Sequence, residues 1–190
     1  DVEKGTIQPA DATHKPLETM VQAKTSTDGS HTLALRADNT VWAYGLNDHG
    51  QLGISKDPVS GGGAYVNRDP SGTEPGVKGS DDPVQIKVYQ WRQNGNEIEI
   101  LGERTTQPKF IDISAGKDHS LLVDKDGKLY AAGSNRYGQM GFDPKLTIKA
   151  TTNGVGVTLG KPVTVPQDEI DVFLEVPMPA GVKIVEVSAG

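Results

Sequence analysis

This sequence predicts an all-β fold assembled from repeated four-stranded antiparallel blades, the unit of a β-propeller. Three observations carry that prediction. A stretch of 23 residues occurs twice: residues 31–53 (HTLALRADNTVWAYGLNDHGQLG) align without a gap on residues 119–141 (HSLLVDKDGKLYAAGSNRYGQMG) at an offset of 88, with nine identities. Apolar residues within each copy recur with a period of two, the spacing of a strand. The chain also holds 23 glycines and 12 prolines in 190 residues, well above the combined usual level of roughly 12%, so it turns often and long helices are not expected.

The elements follow in order. Residues 1–19 are read as the end of a preceding blade or a linker, 20–109 as the first repeat, 110–183 as the second and 184–190 as the start of a third. In the first repeat, 32–36 is a short apolar strand and 41–45 an aromatic-rich one. The turn between them, Ala37-Asp38-Asn39, places Asn39 where a positive φ is easily adopted. In the second repeat, 120–123, the turn Lys125-Asp126-Gly127 and 129–133 play the same parts. The innermost strand of the second blade is read at 110–116 (FIDISAG), and 183–190 (KIVEVSAG) repeats it 74 residues later. Unequal spacings around matching cores describe one structural unit with variable insertions. Fourth strands are expected at 83–88 (PVQIKV) and 162–165 (PVTV). Residues 54–82 read as a long Gly/Pro/Ser/Asp-rich loop. Residues 84–101 read as a hairpin beyond the ordinary blade: Val84, Ile86 and Val88 alternate, Asn94-Gly95-Asn96 signals a turn, and Ile98 and Ile100 resume the period of two. Residues 168–176 (DEIDVFLEV) are read as an equivalent added strand in the second unit.

The run from Ser114 to Gly141 is similar to the repeat of the regulator of chromosome condensation family. The resemblance covers residues 110–141 and, in the first copy, residues from His31 onward, about 65 residues in all. Where the family has a small Ala-Gly step before the histidine, the first copy has Thr25-Ser26-Thr27-Asp28-Gly29. The resemblance implies a β-propeller, commonly seven-bladed. It also implies a choice of functions, from guanine-nucleotide exchange on a small GTPase to ultraviolet-B photoreception and β-lactamase inhibition. A photoreceptor would need a tryptophan cluster, and only Trp42 and Trp91 are present.

The repeat residues read as structural. His31 and His119 each fall between the first and second strands of a blade, where an imidazole can donate to a backbone carbonyl and close a turn. One histidine per repeat is not the three or four convergent ligands a metal needs. Gly45, Gly50 and Gly53, with Gly133, Gly138 and Gly141, give backbone freedom in a crowded corner. No Lys-Ser/Thr follows them, so they are not a phosphate loop. Asn47 and Asn135 read as Asx-turn residues. Asp124-Lys125-Asp126-Gly127 resembles the start of a calcium loop, but position twelve is Asn135 and no helices flank it, so a solvated hairpin turn is the better reading. The candidate partner-binding residues are Tyr89, Trp91 and Arg92 on the added hairpin, residue types enriched at binding hot spots.

Composition narrows the function further. With 19 Lys plus Arg against 25 Asp plus Glu, the formal net charge is −6, which argues against nucleic-acid backbone binding and against docking on anionic membranes. No apolar run is long enough to cross a membrane as a helix. Cysteine is absent, which removes disulfides and thiolate chemistry. No catalytic constellation stands out, and no cofactor or metal site is expected. The expectation is therefore a non-catalytic module for protein–protein interaction, from a bacterial extracellular or surface protein. Nucleotide exchange on a small GTPase is the alternative. Because two blades leave open edges, the sequence is read as a piece of a longer chain, or as a protomer that completes a ring by self-association.

Overall fold

Two tight turns set the first hairpin of each blade. Asn39 takes φ 64° and Gly127 φ 81°, the left-handed region that Asn and Gly enter at least cost. Asp38 braces the first turn by accepting the Thr40 amide at 3.0 Å. Asp124 braces the second by accepting the amides of Asp126 and Lys128 at 2.9 Å each. A computed structural model describes residues 19–54, 65–66, 77–150 and 169–190. The loop expected at 54–82 and the strand expected at 162–165 lie largely or wholly outside these residues.

The described strands, in chain order, are β1 (Met20–Thr25), β2 (His31–Arg36), β3 (Val41–Leu46), β4 (Tyr65–Val66), β5 (Val77–Gln85), β6 (Val88–Asn94), β7 (Glu97–Glu103), β8 (Phe110–Ala115), β9 (His119–Asp124), β10 (Leu129–Ser134), β11 (Thr147–Ala150) and β12 (Glu169–Glu175). They form two sheets, β1-β2-β3-β5-β4 and β11-β7-β6-β12-β10-β9-β8. The first blade is the antiparallel set β1-β2-β3-β5, and the second is β8-β9-β10-β12. The two match in detail, including register shifts in the innermost pair (Met20/Gln22, Phe110/Asp112) and between third and fourth strands (Ala43/Gly45, Ala131/Gly133).

Two strand assignments differ from the sequence reading. The first blade's fourth strand starts at Val77, inside the expected loop, and ends at Gln85; Val88 already belongs to the hairpin. In the second blade the fourth strand is β12, so DEIDVFLEV is the blade's own outer strand and not an addition to it. The added strands are β6 and β7, and they join the second blade. β6 runs parallel to β12 through Phe173↔Val88 and Leu174↔Tyr89, and β11 closes the outer edge by parallel pairing with β7.

The period of two sorts alternate side chains into two cores. Leu33, Leu35, Val41 and Ala43 of the first blade meet Ile113, Leu122, Tyr130, Ala132 and Phe173 of the second in one buried cluster. On the other face of the second blade, Ala131, Ile170, Val172 and Leu174 pack with Met140, Phe142, Leu146 and the hairpin's Ile98 and Ile100. Successive repeats are also joined through the backbone. The Phe110 amide donates to the Asn39 carbonyl at 3.0 Å, and 74 residues on, the Ile184 amide donates to the Gly127 carbonyl at 2.9 Å. Residues 187 and 189 then run beside β8, their amides donating to Asp112 Oδ2 and Ser114 Oγ at 2.9 Å each.

Gly133 sits at φ 113°, and a Cβ there would lie 2.6 Å from the His119 Cα. Gly133→Ala should therefore cost about 2–4 kcal/mol, from backbone strain plus a clash with backbone. At Gly95 (φ 58°) a Cβ would meet nothing within 4 Å, so Gly95→Asn should be nearly neutral. Urea denaturation of the two variants checks the contrast.

Candidate functional site

The repeat histidines are wired between blades. His31 is 1% exposed, and its Nε2 lies 2.9 Å from Ser120 Oγ on the second blade's β9. The Ser120 hydroxyl donates to the Gln51 carbonyl at 2.7 Å, so its oxygen is left to accept from the histidine. This places the imidazole proton on Nε2. Nδ1 is buried with no hydrogen-bond partner among the described residues. A second proton would have to sit there, and burial, the largest influence, pushes the His31 pKa down to about 4. The expected donation to a carbonyl that closes a turn is replaced by a bond to the neighbouring blade, with the carbonyl reached through Ser120. His119 occupies the same position over Gly116, where a Cβ would approach its Nδ1 to 2.7 Å, and burial lowers its pKa too.

The glycine-rich loops brace themselves and then press on strands. Asn47 Oδ1 accepts the Leu52 amide at 2.9 Å, and Asn135 Oδ1 accepts the Met140 amide at 3.2 Å. Gln51 and Gln139 accept the amides of His49 and Tyr137 at 2.9 and 2.8 Å. The first loop lies across β12 of the second blade. A Cβ on Gly50 would fall 2.6 Å from the Asp171 Cα, Gly53 lies against the Phe173 ring, Ile54 bridges to Val172, and His49 Nδ1 meets Glu169 Oε1 at 2.8 Å. In the second loop Gly141 abuts Val176, while a Cβ on Gly138 would come no closer than 3.6 Å to its neighbours; Gly45 stands opposite His31 as Gly133 does opposite His119.

The hairpin brings two of its three candidate residues together. Trp91 donates from Nε1 to the Glu175 carbonyl at 2.8 Å and sets its ring edge-on to Phe142, centroids 5.3 Å apart. Tyr89 is half-buried, and burial, followed by the charges of Glu103 and Asp171, raises its pKa. Arg92 stands apart, paired through Nε with Glu99 at 2.6 Å. Because β6 is parallel to β12 from Val88 and Tyr89 onward, the rest of the hairpin extends past Glu175. A cleft of about 600 Å³ opens there between the hairpin (Tyr89, Trp91, Leu101) and the segment leaving β12 (Val176, Pro177, Met178, Pro179, Val182).

One end of the cleft is charged. Glu175 is gripped by Arg104 Nη2 at 2.8 Å and Lys128 Nζ at 2.9 Å. Arg104 also reaches the Tyr130 hydroxyl at 3.2 Å, and that hydroxyl donates to buried Asp124 at 2.8 Å. Burial, then the bond to Asp124, pushes the Tyr130 pKa up. Arg104, Lys128 and Glu175 come from three separate segments and carry no joint signature in the sequence; only the fold assembles them. Among the described residues there is no group of three or more His, Asp or Glu able to hold a metal ion.

Two matching blades with a blade-to-blade hydrogen-bond register define a repeat protein of the β-propeller class. Residues 29–51 and 110–139 match the family described as "Regulator of chromosome condensation (RCC1) repeat", so two stretches of the chain are similar to that repeat. It is similar to mouse regulator of chromosome condensation, 28% identical over 157 residues that cover 68% of this chain and 34% of the relative. It is also similar to human probable E3 ubiquitin-protein ligase HERC6, 28% identical over 140 residues, 60% of this chain and 13% of the relative. The chain thus spans about a third or less of these relatives. The crystal structure of yeast Prp20p, described with its binding properties to Gsp1p and histones, superposes with a TM-score of 0.50 at 18% identity over 86% of this chain and 26% of that one. This likeness shows the β-propeller fold.

The buried histidine makes stability depend on pH. His31 stays neutral in the folded protein down to about pH 4, whereas the unfolded chain takes up a proton below its ordinary value of 6.5. The unfolded state binds more protons in that window, so stability is lost as pH falls from 6.5 toward 4 and is flat above it. The loss is on the order of 3 kcal/mol, with His119 adding in the same direction. Urea midpoints measured from pH 7.5 to 4.5 should fall more steeply for the natural protein than for His31→Gln.

Proposed function

We propose that this chain is a non-catalytic propeller module whose hairpin and adjoining cleft dock a protein partner. The observation that carries the reading is the placement of the hairpin. It lies between the two repeats in sequence, yet adds to the outer edge of the second blade, where it holds Tyr89 and Trp91 beside an open cleft. Loops and additions on a rigid scaffold are where binding residues concentrate. The aromatic pair serves structure and surface together: Trp91 fastens the hairpin to Glu175 and Phe142, and both residues remain partly accessible.

Relatives support the class of function. Prp20p is described with binding to Gsp1p and histones, which makes these the first partners to try. The net charge of −6 favours encounter with basic proteins over nucleic acid. The composition that suggested an extracellular or surface setting, free of cysteine and rich in small polar loops, supports that setting as part of the proposal.

Nucleotide exchange on a small GTPase is the second reading, favoured by the match to regulator of chromosome condensation. Two measurements separate the two. Biolayer interferometry with Gsp1p and core histones should show binding that weakens about tenfold or more in Met178→Asp, an exposed position beside the cleft, with no change in melting. Release of fluorescent GDP from a panel of small GTPases should stay at its intrinsic rate. Binding indifferent to Met178 overturns the assigned surface, and strong acceleration of release establishes exchange instead.

A further inference from the structure

The cleft beside the hairpin has a chemistry more specific than its shape. Its floor and walls are apolar and extended: Tyr89 and Trp91 from β6, Leu101 from β7, and the Val176–Pro177–Met178–Pro179 run with Val182 opposite them. Its charged lining is Arg104, Lys128 and Glu175, two cations around one carboxylate, so the lining carries one net positive charge. This contrasts with the −6 of the whole chain. Asp124 is not part of the lining; it lies behind Tyr130, offsets the lining's positive charge in part and presents no oxygen to the cleft. That carboxylate is 3% exposed and already accepts the Tyr130 hydroxyl and the amides of Asp126 and Lys128.

The cations still have donors to give. An arginine has five N–H donors and a lysine three. Arg104 directs one nitrogen to Glu175 and another to Tyr130. Among the described residues Lys128 Nζ reaches Glu175 alone, and its side chain is 47% exposed. An incoming carboxylate can therefore bridge Arg104 and Lys128 without breaking their hold on Glu175, leaving the cleft neutral.

We infer that this cleft binds an extended internal segment of a partner protein, one that carries a single Asp or Glu side chain among aliphatic residues. The carboxylate seats between Arg104 and Lys128, and the aliphatic side chains lie on Tyr89, Trp91 and the proline-flanked wall. A side-chain carboxylate is assigned over a free chain terminus because the cationic end is made of two long side chains, whereas terminal carboxylates are commonly captured by nests of backbone amides. This inference rests on the protein-binding reading above and names the chemistry of its partner.

Trp91 reports on the site directly. Trp42→Phe leaves it as the one tryptophan of the chain. Into that variant we would titrate N-acetylated, C-amidated octapeptides, each with one Glu, three aliphatic residues and otherwise Ser or Thr, alongside a set with Glu replaced by Gln. A third set carries Gln and a free C-terminal carboxylate. The Glu set should shift Trp91 emission with micromolar affinity. The Gln set should bind about tenfold more weakly or worse, and added salt should narrow that gap. Lys128→Glu, checked for an unchanged melting profile, should abolish the preference, while Met178→Ser weakens both capped sets alike. The proposal is overturned if the capped Glu and Gln sets bind equally, if none binds at millimolar peptide, or if Lys128→Glu leaves the preference intact. Preference for the third set over the first assigns the end to a chain terminus and overturns the internal segment. If all peptides fail while Gsp1p or histone binding persists and still responds to Met178→Asp, the protein-binding reading stands and only the acidic segment is lost.

Discussion

The contact between the two blades is the constraint on which the rest of this structure depends. A single four-stranded sheet has two faces to cover and no means of covering either alone. Here one face of each blade is buried against the other, through Leu33, Leu35 and Ala43 on one side and Leu122, Tyr130 and Phe173 on the other. Inside that apolar contact runs a short polar chain, His31 to Ser120 to the Gln51 carbonyl. Its members come from a strand of the first blade, a strand of the second and a loop of the first. A buried hydroxyl and imidazole unpaired at this depth would each cost about 1–3 kcal/mol. The arrangement therefore penalises any slip of one blade against the other, which nonspecific apolar packing would tolerate.

The hairpin depends on that register. β6 and β12 are paired in backbone register at two positions, too few to hold a pair of strands by backbone bonding alone. β12 itself is fixed by the first blade's loop, through Gly50 over Asp171, Gly53 under Phe173 and the His49–Glu169 pair. Trp91 then fastens the hairpin at the end of β12. The cleft is a consequence: the hairpin continues past Glu175 while the chain bends away through Pro177 and Pro179 toward the next repeat, and the space between them stays open.

Much of the blade was legible in the sequence because its signals are local. Asn39 and Gly127 mark turns that demand positive φ, and the short apolar runs at 32–36 and 120–123 mark the strands that lead into them. The hairpin was legible for the same reason, from Asn94-Gly95-Asn96 and the flanking Ile98 and Ile100. Its destination was not, because parallel pairing to a strand some 85 residues later leaves no local pattern. The fourth strand of the second blade was misplaced on similar grounds: PVTV and DEIDVFLEV both read as strands, and only packing against β10 selects the latter. Of the three hairpin residues chosen for binding, Tyr89 and Trp91 share the cleft because they alternate on one face, whereas Arg92 points to Glu99. Arg104, Lys128 and Glu175, which give the cleft its charge, meet only once both blades and the hairpin are in place.

The account rests on the two blades acting as one registered unit, and a double-mutant cycle tests it most directly. Urea unfolding of His31→Ala, Ser120→Ala and the double variant should give a coupling energy of about 1–2 kcal/mol, as expected for buried partners in one hydrogen-bonded chain. A coupling near zero, with the two single substitutions simply adding, would mean that the imidazole and the hydroxyl do not meet across the blades, and would contradict the junction from which the hairpin and its cleft follow.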